Sequence, residues 1–333
     1  MSAPDSRFRL AAAQVLEERA TQITLLSKGV LDVTEPASAN DLWLASRRLR
    51  AALEVFRPVL GRSQYREGKA EARRISKAVG SRRDIDVAIA AFETVRSEMD
   101  PADADGIERA ITNLRREQAK ANRALAQVVH GRRMQAFRVR IEEIADSTIE
   151  TDTIDRADEY RPVEVLPPEV LTLIGKRLSR LREEASESLE ASGVEGQHRM
   201  RVAAERLRYS LELSGDALGS QAHTARRAAR GLQEVLGDMR DCDLSVPPAR
   251  KAIEELELED IETIIDRGRN SRDLDPVLVQ AAPNRAAYRG LELTVIHLGA
   301  RRQMLFERFK RLWLEQSRQG VWVALETSLK VES

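Results

Sequence analysis

Apolar residues recur along this chain at intervals of three and four and almost never in sustained alternation. The segments "AAAQVLEERATQITLL" (11–26) and "PPARKAIEELELEDIETIID" (247–266) show the pattern most plainly. That spacing places the apolar side chains of each segment on one face of a helix. β-branched runs are short and aromatic residues make up only 4% of the chain, so the pattern predicts an all-α protein. Helical periodicity fails in "TDTIDRADEYRPVEVLPPE", a stretch rich in acids and proline, which reads as a linker over 151–168.

The segments on either side of this linker resemble one another. "NDLWLASRRLRAALE" (40–54) lies over "HRMRVAAERLRYSLE" (198–212), matching Arg48, Leu49, Arg50, Leu53 and Glu54 with Arg206, Leu207, Arg208, Leu211 and Glu212. Further on, "ISKAVGSRRDIDV" (75–87) lies over "LQEVLGDMRDCDL" (232–244), which pairs Gly80, Arg83, Asp84 and Asp86 with Gly237, Arg240, Asp241 and Asp243. Two matched blocks in the same order predict a duplicated helical bundle. The first repeat covers 1–150, the second 169–318, and a C-terminal tail 319–333. Each half reads as an opening helix, an "RLR" helix, a basic third helix, a short helix after "RD-x-D" and a long final helix, over 103–147 and 276–318. Gly80 and Gly237 are expected to end the third helices, and Asp84 and Asp241 to cap the next ones. Asp86 and Asp243 would then face the helix dipole or hold neighbouring Arg side chains. A cation site or acid–base pair is the rival reading of these acids.

The 333 residues suffice for two ordinary cores. The single cysteine, Cys242, excludes an intramolecular disulfide and any zinc site built on several thiolates. Glu17, Glu18 and Arg19 interrupt what would have to be the apolar core of a signal peptide, and no apolar run approaches the roughly 18 residues of a membrane span. The expectation is a cytoplasmic protein.

Formal net charge is zero, with Lys at only eight positions among 54 cationic residues. Arg presents a planar fork of donors suited to phosphate oxygens, so its placement matters more than the sum. On a helical projection His198, Arg201, Glu205 and Arg208 share a face apart from Met200, Ala203, Leu207 and Leu211, with Arg206 on the flank. The first half has Asn40, Trp43, Arg47 and Arg50 on the equivalent face, with Arg48 on the flank. On the next helix Arg66, Lys69 and Arg73 correspond to His223, Arg226 and Arg230. Like charges at that spacing repel, and the repetition points to an anion that relieves the repulsion. A solvated face, or pairing with acids of a neighbouring helix, is the alternative. No HExxH or Cys/His spacing, phosphate-binding loop, dinucleotide fingerprint or nucleophile elbow is present.

These residues resemble the CHAD family, the conserved histidine α-helical domain. Each half of that family carries a pattern close to H-x-x-R-V-x-x-[RK]-R-L-R, followed by Lys or Arg seven residues before G-x-x-RD-x-D. The resemblance implies two helical bundles related by a pseudo-twofold axis, with a basic cavity that binds inorganic polyphosphate. It also implies association with polyphosphate granules, and with none of the catalytic or metal-binding motifs above, no catalysis, cofactor or metal is expected. The polyphosphate-binding set carried over, together with the repeated basic positions, is Arg47, Arg48, Arg50, Lys69, Arg73, Arg83, His198, Arg201, Arg206, Arg208, Arg226, Arg230 and Arg240. Three positions depart from the family pattern: Asn40 stands where it has His, Trp43 where it has Arg, and Glu205 where it has Lys or Arg. Asn40 and Trp43 predict a weaker first-half site, and Glu205 places a negative charge on the second-half stripe itself, so that a reduced affinity or a shorter ligand is expected. The rival functions are nucleic-acid binding through the same faces, a protein-interaction scaffold and a phosphohydrolase.

Overall fold

The computed structural model describes residues 6–149, 166–214, 217–269 and 272–331. Among them every regular element is helical, as the periodicity predicts: α1 (Ser6–Leu26), α2 (Pro36–Val55), α3 (Arg62–Ser97), α4 (Asp105–Val129), α5 (Gly131–Asp146), α6 (Pro168–Glu183), α7 (Ala185–Ser188), α8 (Val194–Leu213), α9 (Gly219–Gly268), α10 (Arg285–Arg318) and α11 (Val321–Val331). Pro36 and Pro168 open α2 and α6, where a missing N–H leaves no helical bond unmade. Gly320 adopts φ +70 between α10 and α11, a conformation that only glycine takes without strain. The linker expected over 151–168 falls almost wholly outside the described residues.

The chain forms two compact units, and each draws on both sequence halves. The first comprises Met1–Arg83, Asn122–Gly237 and Phe306–Ser333. In it α1 lies against α2 and α5, α6 against α8 and α11, and α2 against α8. Phe8 meets Phe56 with ring centroids 5.2 Å apart, and Leu16, Ile23, Leu42, Leu49 and Phe137 of the same unit are also buried. The second unit, Asp84–Ala121 and Asp238–Leu305, closes over Phe92, Ile107, Leu256, Leu291 and Leu298.

Three local expectations are corrected. Gly80 and Gly237 end no helix, because α3 and α9 run through them, and Asp84 and Asp241 lie in helix interiors rather than at N-caps. Asp86 is buried and accepts a hydrogen bond from Gln118 Nε2 at 2.7 Å, while Asp243 holds Arg302. The acids therefore tie each helix to a partner, the Arg-holding option for Asp243. The expected final helix over 103–147 is two helices parted at His130, and the one over 276–318 is a 3-10 turn, Pro276–Ala281, followed by α10. The C-terminal segment is α11, and its Trp322 is buried against Trp313 at 5.9 Å between centroids.

In the second unit α4 and α10 touch backbone to backbone. A Cβ added to Gly290 would lie 2.0 Å from the carbonyl oxygen of Asp103, and one on Gly106 would lie 2.1 Å from that of Ala287. Gly290→Ala gains up to about 1 kcal/mol of helix propensity. Parting two backbones costs about 1–3 kcal/mol or more, so the clash outweighs the gain. Thermal unfolding of this variant is expected at a lower temperature than wild type, against the usual direction of Gly→Ala in a helix.

Candidate functional site

α8 carries the segment in which the sequence concentrates His198, Arg201, Arg206 and Arg208. Met200, Ala203, Ala204, Leu207 and Leu211 are buried, and so are Arg201 and Glu205, so little of the expected cationic stripe reaches solvent. Glu205 is 2% exposed, bonded to Arg47 of α2 and 3.6 Å from Arg201. Glu205 is thus the buried counter-ion of two of its neighbours, and a hydrogen-bond acceptor for Arg47. Buried charges persist only when paired in this way.

Two further acids gather cations, and they occupy matched positions of the repeat. Glu54 takes Arg177 of α6 at 2.6 Å and Lys69 of α3 at 3.0 Å, with Arg206 within electrostatic reach. Glu212 takes Arg208 at 3.4 Å, Arg19 of α1 at 3.6 Å and Arg48 at 4.0 Å. Arg48 faces Glu212 while its sequence match Arg206 faces Glu54. Arg47 and Glu205, which bond directly, are 158 positions apart, the offset of the aligned blocks, and Arg19 and Arg177 share that separation. Arg177 also donates to the carbonyl oxygen of Arg206 at 3.0 Å and to Ser210, which joins α6 to α8.

Burial pushes the Glu54 carboxyl up, but the Lys69 hydrogen bond and the Arg177 and Arg206 charges outweigh it and hold it below the ordinary carboxylate value. Lys69 is displaced oppositely: burial lowers it, and its bonds to Tyr65 and Glu54 raise it overall. A depressed acid stabilises the fold fully above its unfolded value, near 4.5, and that stability disappears as pH falls through the folded value. Glu54→Gln is therefore expected to lower stability at neutral pH by about 1.5–3 kcal/mol, the worth of hydrogen bonds to charged groups. The gap from wild type should narrow on acidification, and melting curves from neutral to acid pH would check it.

Arg50 differs from these paired residues. Burial lowers its pKa first and the nearby Arg47 and Arg206 charges lower it further, with Glu54 and Glu205 only partly opposing them. Neither Arg50 nor Arg206 makes an ion pair or side-chain hydrogen bond among the described residues, and Arg206 is exposed. A cavity of about 500 Å³ opens beside Arg206, lined also by His198, Lys176, Arg177, Arg180 and Arg199. Glu54 and Glu184 supply its acidic groups. Arg199 lies 2.9 Å from Glu184, and Arg180 is bonded to the same carboxylate, so the less committed cations are Arg206 and Lys176.

Aromatic rings order other cations. Trp43 has Arg47 at 4.5 Å and Arg83 at 4.9 Å from its ring centroid, and Asn40 Oδ1 accepts from Arg83 Nε at 3.3 Å. Both first-half departures thus hold Arg83 in place. Tyr209, buried, has Arg208 at 4.3 Å and Arg48 at 6.0 Å, and Tyr65 lies beside Arg57 and Lys69. Guanidinium stacking of this kind fixes a cation without neutralising it.

Of the sequence-derived set, the first unit brings together Arg47 and Arg201 at Glu205, Arg48 and Arg208 at Glu212, and Lys69, Arg206 and Arg50 around Glu54. Arg230 stays apart, exposed and paired with Glu234 of its own helix, and Arg240 belongs to the second unit. Arg73 and Arg226 have no ion pair among the described residues. The sequence reading missed Lys176, Arg177 and Arg180, although α6 shows one usable signal: Arg177 is a buried cation on an otherwise apolar face with Val170, Ile174, Leu178 and Leu181. No group of three or more potential metal ligands occurs among the described residues, and none of their helices is long and apolar enough to cross a membrane.

Comparison with known proteins places this geometry in a family. The chain is similar to the CHAD domain from the plant Ricinus communis, at 16% identity and TM-score 0.56, over 97% of this chain and 91% of that one. It is similar to PptA from Streptomyces chartreusis at the same identity and TM-score, over 91% of this chain and 98% of that one. At such identity the likeness is one of fold. No curated protein matches the sequence. The family model for the CHAD domain matches residues 14–246, which include both "RLR" helices, both RD-x-D segments and every acid and cation of the three clusters, so the chain belongs to the CHAD domain family.

Proposed function

We propose that this protein binds inorganic polyphosphate without turning it over, through the Arg- and His-bearing helical faces of its first unit, and that such binding takes it to polyphosphate granules. The observation that carries this reading is Arg206, an exposed cation without an ion pair among the described residues, which repels the nearby Arg50 and stands at the wall of a cavity that Lys176, Arg177 and His198 also line. A linear polyanion relieves that repulsion, and Arg forks meet its oxygens two at a time. The crosswise pairing of matched residues supports a duplicated bundle with a pseudo-twofold relation between α2 and α8, because a twofold makes residue i meet the mate of j whenever j meets the mate of i. Family membership supports the ligand class.

Nucleic acid fits less well. Single strands gain much of their affinity by stacking bases on aromatic side chains, and Trp43, Tyr65 and Tyr209 are engaged by cations, Tyr209 being buried as well. The test is the melting temperature with long-chain polyphosphate beside single-stranded DNA at equal phosphate, at two salt concentrations. A rise with polyphosphate that shrinks as salt increases is expected. If DNA produces an equal rise, the nucleic-acid reading replaces this one, and orthophosphate release in the presence of Mg²⁺ would make the protein a hydrolase.

A further inference from the structure

The second unit bears a surface of the opposite kind. Between α9 and α10 lies a shallow groove of about 490 Å³ lined by Ile253, Val295 and Ile296, by the acids Glu254, Glu257 and Glu292, and by one cation, Arg250. Ile296 is 64% exposed. Further along α9, Leu258, Ile261 and Ile265 are each more than half exposed, and their i, i+3, i+7 spacing makes one helical stripe. Glu254, Glu257, Glu262 and Glu292 have no ion pair among the described residues. Neighbouring acids of the same helices are spoken for: Glu259 pairs with Arg109, and Asp260 accepts from Asn284 and Tyr288.

Exposed apolar side chains scattered singly need no explanation, but a stripe leading into a groove does. Two packed helices offer the third position to a helix laid along their seam, with apolar residues in the groove and its flanks against the rims. Three carboxylates against the single guanidinium of Arg250 leave the lining net acidic, and Glu254 and Glu257, one turn apart, repel each other. The complementary flank is cationic. An anionic lipid surface would be repelled by the same carboxylates. A second copy of this chain is a poor match, because groove to groove it would set these carboxylates against their own equivalents, and the exposed apolar residues of its first unit are spread over α1, α5, α10, α11 and the turn after α1.

We propose that the α9–α10 groove of the second unit is a docking site for an amphipathic helix of another protein whose apolar face is flanked by Lys or Arg. The site is separate in residues and in charge from the polyphosphate face, so a chain of zero net charge carries one surface for a polyanion and another for a basic partner.

The experiment uses the full chain and a labelled synthetic helical peptide with a Leu face flanked by Lys, read by fluorescence anisotropy. Wild type is compared with Glu257→Lys/Glu292→Lys and with Ile296→Asp, all at exposed positions, with melting curves to show that each variant folds. Both variants are expected to weaken peptide binding at least about tenfold, while the polyphosphate-induced rise in melting temperature stays as in wild type. The proposal is overturned if the peptide binds all three proteins alike. It is also overturned if only the charge variant weakens binding, which would mean diffuse attraction without the apolar groove. Sedimentation showing a wild-type dimer that either variant dissolves would make the occupant a second copy and overturn it too.

Discussion

Arg206→Glu is expected to weaken polyphosphate binding by roughly 10- to 100-fold, the loss that corresponds to one charge-assisted hydrogen bond of about 1.5–3 kcal/mol. The melting temperature without ligand should scarcely change. Arg206 is exposed and makes no ion pair among the described residues, and its attraction to Glu54 is set against repulsion from Arg50 and Arg177, so the free protein loses little when its charge goes. The bound state loses a donor at the cavity wall. The slope of log affinity against log salt should also flatten by about 0.7 for each phosphate contact removed, if the polymer behaves as a flexible single strand. Arg230→Glu is the comparison. Arg230 is exposed but held by Glu234 on its own helix, and its reversal should cost far less. Equal losses at both positions would mean that binding follows total charge and not this arrangement of side chains.

The contrast between Arg206 and Arg201 shows what the sequence could convey. Apolar spacing gave the all-α class, because a helical stripe needs only local periodicity, and the matched blocks located α2 and α8 by their "RLR" runs. The same projection put Arg201 on the site-facing stripe and Arg206 on its flank. The structure reverses their standing, since Arg201 is 8% exposed and Arg206 is open to solvent. A helical wheel gives angles but not the direction of the neighbouring helix, and α2 covers the stripe while α6 leaves the flank open. Lys176 and Arg177 were missed for a related reason: α6 shares no motif with the "RLR" helices, and only tertiary contact with Glu54 brings it to the cluster. The Gly-x-x-RD-x-D segments misled in the other direction. Glycine followed by aspartate is the local signature of a helix end and a cap, but α3 and α9 hold their helical path, with Asp86 and Asp243 bonded to Gln118 and Arg302. Where propensity and tertiary bonding disagreed, bonding prevailed.

Glu205 is where the largest effect on stability is expected. Read from sequence it is a flaw, a negative charge among cations meant for an anion. In the fold it is 2% exposed, and Arg47 and Arg201, with side chains 12% and 10% exposed, depend on it. Removing one partner of a buried pair strands the other and costs about 3–5 kcal/mol. Glu205→Ala leaves Arg47 with no acid bonded to it among the described residues and takes one contact from Arg201. At about 2–4 °C per kcal/mol for a domain of some 150–250 residues, a fall in melting temperature on the order of 10 °C or more follows. Replacing the charges together should recover much of it, because Glu205→Leu with Arg47→Met trades an ion pair for apolar packing of similar volume. Polyphosphate separates this structural role from a role in ligand capture. If Glu205 opposed binding, Glu205→Ala would bind more tightly in proportion to the charge removed and melt near wild type. If Glu205 holds Arg47 and Arg201 in place, the variant melts early and polyphosphate raises its melting temperature more than that of wild type, by taking over from Glu205 as counter-ion. A variant that melts within about 2 °C of wild type, less than 1 kcal/mol on the same scale, would show that the three-residue cluster does not hold α2 to α8.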